Sequence, residues 1–99
     1  MKLTVQEEAA AWYKEELELT NNTSLRFFVR YGGVCGLQPG FSLGIRPDTP
    51  EEPIMEATVN NIHFYVEDED AWYFDHHDVN VYYDEDKKEP NFEYIDSTQ

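Results

Sequence analysis

Apolar residues recur at helical spacing near the start of the chain and at alternate positions after residue 25. In LTVQEEAAAWYKEELEL, residues 3–19, one face of a helix would collect Val5, Ala9, Trp12 and Leu17. Thr4 precedes Glu7 by three residues, which is the spacing of a capping box at a helix start. The pattern therefore predicts an N-terminal helix.

After Leu25 the alternation and the rise in β-branched and aromatic residues predict strands. These segments are LRFFVRY (25–31), GFSLGIRP (40–47), VNVYYDED (79–86) and NFEYID (91–96). Three prolines in PDTPEEP (47–53) predict a loop, since proline donates no ladder hydrogen bond.

MEATVNNIHFYVED, residues 55–68, has the pattern of a hairpin around Asn60 and Asn61, because asparagine tolerates the positive φ of a two-residue turn. One or two helical turns are expected in EDAWYF (69–74), with Asp68 or Asp70 as the cap. The predicted fold class is β-rich α+β, with an N-terminal helix followed by mostly antiparallel strands.

Length and charge narrow the classes of partner. The 99 residues suit a single domain, 1–99, and 21 acidic against seven basic residues give a net charge of -14. Such a surface repels phosphate backbones and anionic lipid, so neither nucleic acid nor a membrane is an expected partner. Basic proteins or cations fit better, although the simpler interpretation is that the charge keeps a small protein in solution.

The single cysteine, Cys35, excludes an internal disulfide within this sequence, and the N-terminal residues contain no apolar run typical of a signal peptide. No stretch approaches the length of a membrane span. The expected location is a reducing cytoplasm.

Three segments, in their order along the chain, resemble the HesB-like family, the A-type iron-sulfur cluster carriers and their relatives. YGGVCGLQPGFSL (31–43) stands where the family has a strand running into G-G-C-S-G-F-Q, and NNIHFYVED (60–68) matches its hairpin ending in V-D. WYFDHHDVNVYY (72–83) fits the family's short helix, turn and strand, with Tyr73 and Phe74 as the apolar pair.

The resemblance implies a HesB-like fold with a barrel-like or sandwich arrangement of strands and a role in iron-sulfur cluster biogenesis, usually as a homodimer. Family members hold iron or a cluster with one cysteine in the glycine-rich segment and two in a C-terminal C-G-C. Here Val34 occupies the position of the first ligand, Cys35 follows it, and no C-G-C is present. A cluster generally takes about four protein ligands, so atypical or impaired cluster binding is expected.

Cys35 is the first candidate ligand for iron or an iron-sulfur cluster, with Gly33 and Gly36 supporting the turn around it. Backbone N–H groups in a glycine-rich bend can stabilise a thiolate. The alternative is a buried and unreactive cysteine and no cofactor.

His76 and His77, within DHHD (75–78), are the second candidates for metal binding. Imidazole and carboxylate suit zinc, iron or nickel, but adjacent histidines rarely reach one ion, and a solvated turn is the stronger interpretation. His63 is interpreted as a half-exposed strand residue. The acidic runs EDED (67–70) and DEDKKE (84–89) lack the spacing of a calcium loop and are interpreted as charged surface.

Enzyme signatures such as G-x-S-x-G, a P-loop or H-E-x-x-H are missing, so no catalytic activity is expected. Two main hypotheses remain open, and a small thiol enzyme that pairs Cys35 with His63 or His76 is a third that the spacing does not support. The first is an iron-sulfur biogenesis scaffold, carrier or adaptor with protein partners in assembly. The second is an acidic protein-interaction module of the same fold that has lost metal binding.

Overall fold

The computed structural model describes residues 1–32, 37–38 and 40–96. Two helices and seven strands are defined in these residues: β1 Leu3–Val5, α1 Glu7–Glu16, β2 Thr23–Tyr31, β3 Phe41–Pro47, β4 Pro53–Val59, β5 Ile62–Glu67, α2 Ala71–Phe74, β6 His77–Asp84 and β7 Glu89–Asp96. A 3-10 turn, Asp68–Asp70, leads directly into α2.

The strands form two sheets, with orders β1-β6-β7 and β3-β2-β5-β4. Three of the five strand pairs in the described residues are antiparallel: β2 with β3, β4 with β5, and β6 with β7. The other two, β1 with β6 and β2 with β5, are parallel. The β-rich α+β class and the mainly antiparallel pairing are confirmed. No closed barrel forms among these strands, and the barrel-like or sandwich arrangement stays a prediction.

One core joins both sheets to α1. Alternate residues of β2 and β6 are buried, because successive side chains point to opposite faces of a sheet, whereas β5 is buried continuously from Phe64 to Glu67. The aromatic centre is Phe27 stacked on Phe64, with ring centroids 5.8 Å apart, and both rings contact Tyr13 of α1. The other fully buried aliphatic side chains in the core include Leu25, Ile62, Val66 and Val81.

The beginning of the predicted helix is wrong. Leu3–Val5 is a strand, and the N-cap of α1 is Gln6, whose side chain makes no capping bond. Leu3 and Val5 are buried and pair with Val79 and Val81 of β6. This tertiary pairing outweighs the local capping signal of Thr4, which lies within β1.

The hairpin predicted at Asn60 and Asn61 is confirmed. Both residues have positive φ, 54° and 63°, between β4 and β5. The predicted helical turns also form, as the 3-10 turn and α2. Asp70 occupies the N-cap position of α2, but its side chain makes no capping hydrogen bond.

Candidate functional site

The glycine-rich segment carries the first group of predicted site residues. Gly33, Cys35 and Gly36 lie outside the described residues, so their roles stay predictions. The residues that flank them are described. Gly32 has φ 95°, a conformation that favours glycine, and its N–H donates to the Gly40 carbonyl at 2.9 Å. The two ends of the segment are therefore bonded to each other.

Tyr73, on α2, fixes the middle of this segment. The Leu37 N–H donates to the Tyr73 hydroxyl at 2.7 Å, and Gln38 Nε2 donates to the Tyr73 carbonyl at 3.2 Å. Tyr73 is fully buried, so this anchor is rigid. Its hydroxyl also lies 3.5 Å from that of Tyr94. Burial, followed by the hydrogen bond with Tyr73, raises the pKa of Tyr94, so the Tyr94 phenol stays neutral.

An aromatic patch, consisting of Tyr31, Phe41 and Trp72, lies next to this anchor. Tyr31 and Phe41 are a cross-strand pair with ring centroids 5.0 Å apart, and Trp72 meets Phe41 edge to face at 5.2 Å. Tyr31 is 86% exposed and Trp72 is 53% exposed.

The turn DHHD places its two histidines differently. Asp75 and His76 both have positive φ, 43° and 62°, which ends α2 and starts β6. His77 Nδ1 lies 2.9 Å from the carbonyl oxygens of Phe74 and Asp75, so it must donate a proton there and cannot ligate a metal through that nitrogen. Metal binding by His76 and His77 stays a prediction.

Arg26 forms ion pairs with two residues of the acidic run EDED, a cluster that was not predicted. Arg26 Nη2 lies 2.6 Å from Glu69 Oε1 and 3.0 Å from Asp70 Oδ2. Burial alone would lower the pKa of Arg26, but the hydrogen bonds to Asp70 and Glu69 outweigh burial and raise it. The run is therefore partly structural, whereas it was interpreted as charged surface. The sequence offers no local signal of this cluster, because Arg26 and Asp70 lie 44 residues apart.

Glu67, in the same run, is also buried. Its two carboxylate oxygens accept the backbone N–H groups of Glu51 and Glu52, each at 2.7 Å. Because both oxygens of the Glu67 carboxylate accept backbone N–H groups, Glu67 ties the loop between β3 and β4 to the sheet. The predicted loop is confirmed for residues 48–52 and has a defined anchor, but Pro47 and Pro53 are terminal residues of β3 and β4 and take part in the strand pairing, against the prediction.

His63 joins a short polar chain on the outer face of the larger sheet. Its Nε2 lies 2.8 Å from Glu56 Oε1, and its Nδ1 lies 3.3 Å from Ser24 Oγ. The ring is partly exposed, as expected for a half-exposed strand residue.

Nearby, the buried hydroxyl of Tyr65 has no hydrogen-bond partner among the described residues. Burial raises the pKa of that phenol, and Asp48 raises it further.

No group of three or more His, Cys, Asp or Glu side chains that could hold a metal ion occurs in the described part of the chain. Neither helix found there is long and apolar enough to cross a membrane. The site therefore consists of an exposed aromatic patch next to an anchored glycine-rich segment.

The iron-sulphur cluster biosynthesis family matches residues 1–94, so the chain belongs to this family, as the HesB-like resemblance implied. The chain is also similar to a pyruvate dehydrogenase inhibitor of Bacillus subtilis, with 51% identity over 94 residues, which cover 95% of this chain and 99% of that relative.

Two uncharacterized staphylococcal proteins are similar as well. That of Staphylococcus haemolyticus is 39% identical over 84 residues, covering 82% of this chain and 85% of the relative. That of Staphylococcus aureus (strain USA300) is 39% identical over 92 residues, covering 88% and 94%.

Proposed function

We propose that this member of the iron-sulphur cluster biosynthesis family is a non-enzymatic protein-interaction module that binds and inhibits a pyruvate dehydrogenase. One observation carries the proposal: the relative named pyruvate dehydrogenase inhibitor is 51% identical over 94 residues, nearly the whole of both chains. Identity of that extent supports a shared binding surface as well as a shared fold.

The chemistry of this chain is compatible with binding rather than with cluster transfer. Its single cysteine supplies one of the roughly four ligands that a cluster takes. Two large aromatic side chains stand exposed beside the glycine-rich segment, and aromatic residues dominate the energetics of protein interfaces. Both features support a module whose partner is a protein. Its location in the cytoplasm stays a prediction.

An inhibition assay tests the proposal directly. The purified chain is titrated into the pyruvate dehydrogenase complex of Bacillus subtilis while pyruvate-dependent NADH formation is followed. We expect saturable inhibition with a defined stoichiometry. A 2-oxoglutarate dehydrogenase complex is the control, because a chain of net charge -14 could inhibit any basic assembly non-specifically. Equal inhibition of both complexes, or of neither, would refute the proposal.

A second candidate function is iron or cluster binding through Cys35 in a homodimer, within iron-sulfur assembly. It is favoured by the family match over residues 1–94 together with the cysteine in the glycine-rich segment. Two chains would contribute two thiolates, and further ligands would come from histidine, an external thiol or a partner.

Anaerobic reconstitution with iron and sulfide separates this candidate from the first. The wild-type chain and Cys35→Ala are compared by metal analysis, visible absorption and sedimentation. Cluster binding predicts near-stoichiometric iron in the wild type, its loss in Cys35→Ala, and a dimer that forms with loading. Trace iron in both proteins would eliminate this candidate and leave the inhibitor proposal intact.

A further inference from the structure

The aromatic patch is an unusual surface feature for a chain of this size. Single exposed apolar side chains are common on proteins and need no explanation. Here, however, the Phe41 ring contacts both Tyr31 and Trp72, and these two outer rings are 86% and 53% exposed. Rigid aromatic side chains of this kind are over-represented among the residues that carry binding energy at interfaces. The rings are therefore available to a partner.

Acidic side chains accompany Trp72 on its own element. Asp68, four residues before Trp72, lies in the 3-10 turn that leads directly into α2. Asp75 follows Trp72 by three residues, at the end of α2. Neither carboxylate makes a side-chain hydrogen bond or ion pair with another described residue. Asp68 also borders a hollow lined by Glu51, Glu52, Glu67 and Glu69.

The arginine nearest to Tyr31 in sequence, Arg30, does not neutralise the negative charge of this surface. Arg30 precedes Tyr31 in β2, and adjacent strand residues point to opposite faces of the sheet. Arg26 is already ion-paired with Glu69 and Asp70. The patch therefore combines exposed aromatic faces with uncompensated negative charge, an arrangement that attracts arginine and lysine side chains through both cation–π and Coulomb interactions.

Resting on the function proposed above, we infer that the aromatic patch, with Asp68 and Asp75 beside it, is the docking surface for a basic, arginine- or lysine-bearing segment on the surface of the pyruvate dehydrogenase. The rings supply the contact area and the two carboxylates select for positive charge. The net charge of -14 steers the approach of such a partner from a distance.

Alanine variants of the exposed rings test this inference. Tyr31→Ala and Trp72→Ala are each expected to raise the concentration for half-inhibition of the Bacillus subtilis complex about tenfold or more. Leu17→Ala is a matched control, because this large apolar side chain is 42% exposed at the C-cap of α1. The control should stay within about twofold of the wild type. Circular dichroism and thermal unfolding identify any variant that loses its fold.

The outcomes distinguish the inference from the proposed function. If the wild type inhibits the complex and both folded ring variants inhibit it equally well, the docking inference fails while the inhibitor proposal stands. If the wild type neither binds nor inhibits, both fail. If Trp72→Ala instead dissociates a wild-type dimer in sedimentation, with inhibition unchanged, the occupant is a second copy of the chain and the inference is overturned.

The charge of the partner is tested separately. Asp68→Asn and Asp75→Asn should each slow association with the complex about two- to threefold at low salt, as measured by surface plasmon resonance, and the difference should vanish at about 0.5 M salt. Glu85→Gln is the control, since this exposed carboxylate lies in the turn between β6 and β7. A loss in Glu85→Gln equal to that in the two aspartate variants would show general charge attraction and contradict docking at the patch.

Discussion

Arg26 and Asp70 form an ion pair with Nη2 and Oδ2 3.0 Å apart, and each side chain is only 11% exposed. The pair connects the middle of β2 to the turn that precedes α2. Since α2 carries Trp72 and Tyr73, the pair positions the aromatic patch and the anchor of the glycine-rich segment. The stability that this ion pair contributes therefore also maintains the proposed docking surface.

Replacing Arg26 by methionine keeps most of the apolar stem and removes the charge. Because Asp70 would stay buried without its cation, we expect Arg26→Met to lower the free energy of unfolding by about 3 kcal/mol. Arg46→Met is the control: Arg46 is 53% exposed, lies 3.5 Å from Asp48 and stacks over Phe28, so it should cost about 1 kcal/mol or less. Urea denaturation measures both, and equal losses would argue against a special role for the buried pair.

The Tyr73 hydroxyl is the contact that fixes Leu37, so Tyr73→Phe should release this N–H. We expect a loss of about 1–2 kcal/mol in unfolding free energy and faster hydrogen exchange at the Leu37 amide. Tyr65→Phe is a matched control, because the buried Tyr65 hydroxyl has no partner among the described residues and its removal should be neutral or stabilising. The same loss in both variants would mean that the hydroxyls matter only for packing.

Local signals in the sequence predicted the elements whose contacts are local. The hairpin at Asn60 and Asn61 needed only its turn residues and the alternation on either side. The strand Leu3–Val5 was missed because its partner is β6, at the other end of the chain. Likewise, nothing near Asp70 indicates that it is buried, since its cation is 44 residues away. The exposed patch was missed because an aromatic side chain at a strand end has the same pattern whether or not another element covers it.

The turn between β4 and β5 tests how much the asparagines contribute. Left-handed backbone costs an ordinary L-residue roughly 1–2 kcal/mol, whereas glycine adopts it readily. Asn60→Ala and Asn61→Ala should therefore each lower the free energy of unfolding by about 1 kcal/mol. Asn60→Gly and Asn61→Gly should stay close to the wild type in the same thermal or urea unfolding experiments. Equal losses for alanine and glycine would point to the asparagine side chains instead of the backbone.

Asp84 gives the stability a defined pH dependence. Its Oδ1 accepts the backbone N–H groups of Asp86 at 3.0 Å and Lys87 at 3.3 Å. The bond from Lys87, followed by that from Asp86, holds the pKa of Asp84 below its ordinary value. A carboxyl whose pKa is lowered by folding stabilises the folded state above its unfolded pKa, which is about 3.9, and that contribution disappears as the pH falls through the folded pKa.

Asp84→Asn should therefore be less stable than the wild type at pH 7, and the difference should shrink steadily below about pH 4. Acidification also weakens the charge repulsion within a chain of net charge -14. This effect is the same in both proteins and therefore cancels in the comparison. Glu85→Gln removes a neighbouring charge whose side chain makes no hydrogen bond with the described residues, so it controls for charge alone. Urea denaturation at several pH values provides the measurement. A difference between wild type and Asp84→Asn that is independent of pH would rule out the carboxylate's hydrogen bonds as its source.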